Sequence, residues 1–93
     1  MRARWKNVVL ADSDATVVVE GNHYFPPNSL NPAYFKESDT HTTCPWKGEA
    51  SYYHVEVDGE MKKDAAWTYP EPKEKAQHIK DYVAFGEGIE VVE

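Results

Sequence analysis

Four side chains with the chemistry to act on a ligand fall within a short span: Cys44, Lys47, His54 and Asp64. Lys47 lies between Trp46 and Gly48, just ahead of an apolar run. An ammonium partly removed from water there has a lowered pKa and becomes a nucleophile or base. The same lysine can instead serve as a fixed cation for a carboxylate or phosphate, or lay its stem on tryptophan with its head in solvent. Cys44 becomes a thiolate nucleophile if Lys47 or a histidine stands beside it. The alternative is an inert, buried thiol, the common fate of a free cysteine. His54 and Asp64 complete the candidate catalytic set as acid–base or hydrogen-bonding groups.

Around these four lies a concentration of aromatic side chains. Trp46, Tyr52, Trp67 and Tyr69 can wall a pocket that stacks a flat ligand, their indole and phenol tips giving it direction. With Lys47 they make up the candidate ligand-binding residues. Aromatics at alternate strand positions also serve as core or cross-strand pairs. A third use is a protein interface, where Trp and Tyr act as anchors.

Other sites are less well founded. His23, His41, His54 and His78 show no metal-ligand spacing, and one cysteine cannot build a thiolate zinc site, so no metal site is expected. Asp12-Ser13-Asp14 has the Asp-x-Asp spacing of carboxylates that hold divalent cations around a triphosphate. It sits where a hairpin must turn, Asp and Ser are ordinary turn residues, and no glycine-rich phosphate loop accompanies it. The turn reading is preferred.

The elements that must position these groups are mainly strands. Glu49–Val57 alternates clearly: Ser51, Tyr53, Val55 and Val57 share one face, read as core, and Ala50, Tyr52, His54 and Glu56 the other. Asp58-Gly59 signals a hairpin, with a loop longer than two residues expected through Glu60–Lys63. A return strand then places Ala65, Trp67 and Tyr69 on one face, opposite Ala66 and Thr68. Upstream, Trp5–Leu10 and Thr16–Glu20 are read as a hairpin, and Phe35–Thr43 as short strand alternating with loop. Pro72 opens a helix of two to three turns carrying Ala76, Ile79, Lys80 and Val83 at helical spacing. Strands at Tyr82–Phe85 and Ile89–Val92 end the chain. The expected class is mainly β: a compact antiparallel sheet, tent-like or barrel-like, with one or two short helices.

Composition sets bounds. Ninety-three residues make one domain, residues 1–93, near the small end of comfortable size. The formal charge is −6 and the basic residues are scattered, which argues against nucleic acid. A single cysteine excludes an internal disulfide. The opening Met-Arg-Ala-Arg-Trp-Lys has no apolar run after its charges, and no window approaches a membrane span. A cytoplasmic protein with no membrane partner is expected.

Thr42-Thr-Cys-Pro-Trp-Lys-Gly, Ala50-Ser-Tyr-Tyr, Asp64-Ala-Ala-Trp-Thr-Tyr-Pro-Glu-Pro and Tyr82-Val-Ala-Phe occur in one order with Val17-Val-Val-Glu-Gly-Asn and His23-Tyr-Phe-Pro-Pro. Together they resemble the small proteins grouped as domain of unknown function 427, also labelled nucleotidyltransferase-like, over nearly the whole chain. The resemblance implies a compact, mostly β, tent-like domain and no established reaction or cofactor. Many members carry an aromatic after Val-Ala-Phe, where this chain has Gly86; whatever that ring covers is left open here. The functional expectation is a small-molecule-binding domain, with or without catalysis, whose aromatic-walled pocket surrounds Thr43-Cys-Pro-Trp-Lys-Gly48 and takes an anion if Lys47 supplies the charge. The alternatives are a non-catalytic interaction domain or homodimer using exposed Trp and Tyr, and the nucleotidyltransferase activity of the label, which is disfavoured.

Overall fold

The computed structural model describes residues 1–93 and contains nine strands: β1 Arg2–Trp5, β2 Val8–Asp12, β3 Val17–Val19, β4 Asn22–Tyr24, β5 Phe35–Cys44, β6 Gly48–Val57, β7 Glu60–Thr68, β8 Val83–Phe85 and β9 Glu90–Val92. They form three antiparallel sheets ordered β2-β1-β9, β3-β4 and β5-β6-β7-β8. No sheet closes into a barrel, so of the two shapes expected the barrel is not the one formed. The small sheets are tied to the large one by backbone. Phe25 and Val83 exchange two hydrogen bonds of 2.8 and 2.9 Å, which joins the end of β4 to β8.

Three hairpins turn through two residues, each with both residues at positive φ: Lys6-Asn7, Glu20-Gly21 and Asp58-Gly59. Such turns match the right-handed twist of the flanking strands. They correct the expected strand boundaries. Trp5–Leu10 is not one strand, because Lys6-Asn7 breaks it, and β2 pairs with β1 while β3 pairs with β4. A lysine at φ 52° carries no turn signal in sequence, since side chains other than Gly, Asn and Asp seldom adopt that region. The Asp58-Gly59 loop has two residues, and Glu60–Lys63 belongs to β7.

Phe35–Cys44 is one ten-residue strand rather than alternating strand and loop. It lies at the edge of the large sheet, where polar and charged side chains face water while the backbone still pairs with β6. Its register is broken by a bulge between Glu37 and His41, and the β6–β7 register shifts between Tyr53 and Val55. The region after Pro72 forms a six-residue 3₁₀ segment, Glu74–Ile79, not a longer helix through Val83. Ala76 and Ile79 are buried as the spacing requires, but Asp81 takes a φ of 63° and the chain turns back to pair as β8.

Two apolar clusters result. The first gathers Leu10, Phe25, Val55, Val57, Val83 and Phe85, with Phe25 and Phe85 meeting edge to face at 5.5 Å. The second centres on Tyr24, Ala50, Tyr69, Ala76, Ile79 and Ala84. Both faces of β6 are therefore used: Tyr53, Val55 and Val57 serve the first cluster, and Ala50 and Tyr52 the second. Tyr69 and Trp67 turn to the second cluster while Ala65 packs in the first. No helix is long and apolar enough to cross a membrane.

Candidate functional site

Lys47 is buried, 6% exposed, at the turn between β5 and β6. Its ammonium forms an ion pair with the Glu20 carboxylate, which also accepts a 3.4 Å hydrogen bond from Trp46 Nε1. The same ammonium lies 5.4 Å from the ring centroids of both Trp46 and Tyr69, a cation–π arrangement. Burial alone would lower the lysine pKa. The hydrogen bond to Glu20 and its negative charge outweigh that, and the net shift is upward. Lys47 is a fixed cation and not a free amine at neutral pH. Burial in turn pushes the Tyr69 phenol up, so it stays protonated.

The expected binding residues do come together here, but as packed structure. Tyr52, Trp67 and Cys44 pack partly buried against the cluster that contains Tyr69. Tyr52 and Trp67 meet at 6.2 Å between ring centroids, and Trp67 Nε1 donates to Tyr24 Oη at 3.2 Å. Cys44 is the only thiol and is partly buried. None of the four surface cavities is lined by Cys44, Trp46, Lys47, Trp67 or Tyr69. Sequence reasoning missed Glu20 and Tyr24, which complete the cluster. Their available signal was slight: Glu20 is the lone acid closing a valine run, and Tyr24 the aromatic just before Phe25-Pro-Pro. At Gly86 an added Cβ would stand 3.5 Å from Trp67 Cζ3, so glycine leaves that edge of the indole uncovered.

His54 and Asp64 form a second constellation, away from Lys47. Asp64 sits at φ 51° in the β7 irregularity, and its carboxylate accepts from Ser38 Oγ at 2.5 Å and Thr40 Oγ1 at 2.9 Å. Its backbone N–H donates to His54 Nδ1 at 3.0 Å, which leaves the neutral ring's proton on Nε2. The hydroxyl of Ser38, then that of Thr40, hold the Asp64 carboxyl below its ordinary pKa. Locked and ionised, Asp64 is a strut between the β5 bulge and the β7 irregularity rather than a proton donor.

That strut shapes a cleft of about 410 Å³. The bulge presents Glu37 and Asp39 to it, as bulges commonly re-aim side chains. Tyr53 forms a wall, and Asp81 lies at the margin. Ser51 and Thr68 are cross-strand partners and so point to one face, the cleft face. Thr68 is 5% exposed, and its Oγ1 has no hydrogen-bond partner in the protein. A buried hydroxyl without a partner is uncommon and calls for a cause.

Each segment that carries the family resemblance feeds one of these two places. Glu20, Tyr24, Lys47, Tyr52, Tyr69 and Tyr82 reach the aromatic cluster, and Ser51, Tyr53 and Thr68 reach the cleft. The model of the family described as Domain of unknown function (DUF427), labelled NTP_transf_9, matches residues 1–93. The chain belongs to that family. No curated protein matches this DUF427 chain. Asp12 of the Asp-Ser-Asp run is paired with Arg2 at 3.3 Å, and Ser13 Oγ accepts from the Ala15 amide, as a turn requires. No group of three or more His, Cys, Asp or Glu side chains is placed to hold one metal ion.

A pH prediction follows from the two carboxylates and the lysine. The hydrogen bond from Lys47, then that from Trp46, lower the Glu20 pKa below 4.5, and Asp64 lies below 3.8. Each carboxylate contributes stability that is present above its unfolded pKa and lost as pH falls through its lower folded one. Lys47, raised above 10.5, contributes below that value and loses its contribution as pH rises through the folded pKa. The thermal midpoint should therefore hold steady from about pH 5 to about pH 10 and fall below about pH 4. Glu20→Gln and Asp64→Asn should each flatten the acid limb. An acid limb unchanged in both variants would contradict the assignment.

Proposed function

We propose that this protein is a small-molecule-binding domain whose ligand occupies the cleft between the β5 bulge, Tyr53 and Asp81. The observation that carries the reading is Thr68, a nearly inaccessible side chain on the cleft face whose hydroxyl lacks a partner. Leaving such a group unpaired costs about 1–3 kcal/mol, a cost that a polar ligand atom at the cleft floor removes. The cleft volume also falls in the range of small-molecule sites. The Lys47–Glu20 cluster then acts as the clamp that fixes β6 from its other face, where Tyr52 packs with Trp67, Tyr24 and Tyr69.

The test is Thr68→Val, which keeps shape and removes the hydroxyl. The variant should be more stable than wild type by about 1 kcal/mol in urea titration. It should also lose binding of polar fragments that shift the Ser51, Tyr53 and Thr68 amide resonances in the wild type. A fragment library that moves none of these resonances in wild-type protein would refute the reading.

A second reading has its own observation. Glu20 stands on a two-residue turn with its side chain 54% exposed, so a carboxylate or phosphate can displace it from buried Lys47. That would retain the anionic ligand expected from Lys47. Neither reading extends to nucleotidyl transfer, since Asp12 is paired with Arg2 and Ser13 Oγ accepts from the Ala15 amide within the turn. Oligomeric state and cellular location play no part in either reading.

A further inference from the structure

We infer that the cleft selects a cation, a small organic ammonium compound of the aminoalcohol type. This inference rests on the reading of the cleft as the ligand site. Its basis is charge and spacing. Glu37, Asp39 and Asp81 line the cleft, no lysine or arginine does, and none of the three carboxylates takes part in an ion pair. The only other ionisable neighbours are His41, whose Nδ1 is engaged by Ser51 Oγ at 3.2 Å and by Glu49 at 3.8 Å, and the phenol of Tyr53. Three uncompensated carboxylates in one concavity focus a negative potential there, and the net charge of −6 adds to it.

The carboxylates are set by backbone rather than by floppy chance. Glu37 and Asp39 flank a bulge held by the Asp64 carboxylate through Ser38 and Thr40. Asp81 is held at φ 63° with its amide donating to Tyr69 O at 3.2 Å. They do not converge closely enough, with any third ligand, to hold one metal ion. A longer organic cation can place its ammonium among the carboxylates, lay its carbon chain on the Tyr53 ring, and bring a hydroxyl to Thr68 Oγ1 at the floor. A tyrosine face favours a cation as well as the chain that bears it. The unpartnered Thr68 hydroxyl is independent of the charges and points to the same occupant.

The experiment compares three probes of one length by amide chemical-shift titration: 4-aminobutan-1-ol, cationic at pH 7, the neutral 1,4-butanediol, and the anionic 4-hydroxybutyrate. The amino alcohol should shift Ser51, Tyr53, Thr68 and Asp81 amides with affinity roughly tenfold above that of the diol, the worth of one charged contact. The anion should bind most weakly. Added salt should erode the advantage of the cation and spare the diol. Asp39→Asn with Asp81→Asn should abolish the advantage, and asparagine tolerates the positive φ at position 81, so the fold is kept. Equal binding of diol and amino alcohol would overturn the charge selection while leaving the cleft as a ligand site. No response to any probe, with Thr68→Val indifferent to every fragment, would overturn both. Tightest binding by 4-hydroxybutyrate would overturn the cation and favour the anion at Lys47.

Discussion

Replacing Glu20 with glutamine should destabilise the protein more than replacing Lys47 with methionine, although the two residues form one ion pair. The reason is unequal burial. The Glu20 side chain is 54% exposed and the Lys47 side chain 7%. When Lys47 becomes methionine, the Glu20 carboxylate simply returns to water, and the methionine keeps most of the buried stem that carries the ammonium to Trp46 and Tyr69. That variant should stay within about 1 kcal/mol of wild type, because loss of the pair is offset by loss of a desolvated charge. When Glu20 loses its charge, the ammonium is left buried without a compensating anion, the costly way to break such a pair. Urea titrations of both single variants and the double variant measure the coupling. Equal midpoints for the two single variants would sink the argument. The same proteins weigh the anion reading of Lys47: Glu20→Gln should bind 4-hydroxybutyrate more tightly, and Lys47→Met not at all.

The second large effect is expected at Gly48→Ala. Gly48 takes a φ of 111°, outside the regions open to residues with a Cβ. A Cβ there would also touch backbone at Glu71 O, Lys73 N and Pro72 Cα, at 3.4 to 3.6 Å, so the strand has no room to relax in that direction. The dihedral strain alone is worth roughly 2 kcal/mol. The damage should reach the clamp as well, because the Lys73 amide donates to Lys47 O at 2.9 Å across this contact. Hydrogen exchange of the Lys73 amide should speed up in the variant. Gly21→Ala is the control: its φ of 82° is also positive, but its Cβ would meet nothing within 4 Å. It should cost less and leave Lys73 exchange unchanged. A Gly48→Ala protein as stable as wild type would show that the Trp46–Gly48 turn is not held tightly.

Much of the architecture was legible in the residues. The alternation of Glu49–Val57 and the turn residues Asp58-Gly59 specify β6 and its hairpin locally, since side-chain period and αL preference are properties of neighbouring residues. The mainly β class, the strands at Val83–Phe85 and Glu90–Val92, and a helical segment starting near Pro72 follow from the same local signals. The family follows from motif order, and its model matches residues 1–93. Partnership was not local. Whether β3 pairs with β2 or β4 depends on which turn is tighter, and Lys6-Asn7 carries almost no mark of being one.

The site shows the same division. Sequence singled out Trp46, Lys47, Tyr52, Trp67 and Tyr69 as neighbours, and all five do lie together. Only the tertiary structure decided that Glu20, twenty-seven residues away, would neutralise Lys47, because a charge is a site or a clamp according to what the fold sets against it. The same holds for Asp64, whose carboxylate the fold sets against the hydroxyls of Ser38 and Thr40. The cleft was hidden for a further reason. Its carboxylates and its unpartnered Thr68 come from a bulge, a strand floor and a corner, and concavity is a property of surfaces that meet only once the chain has closed.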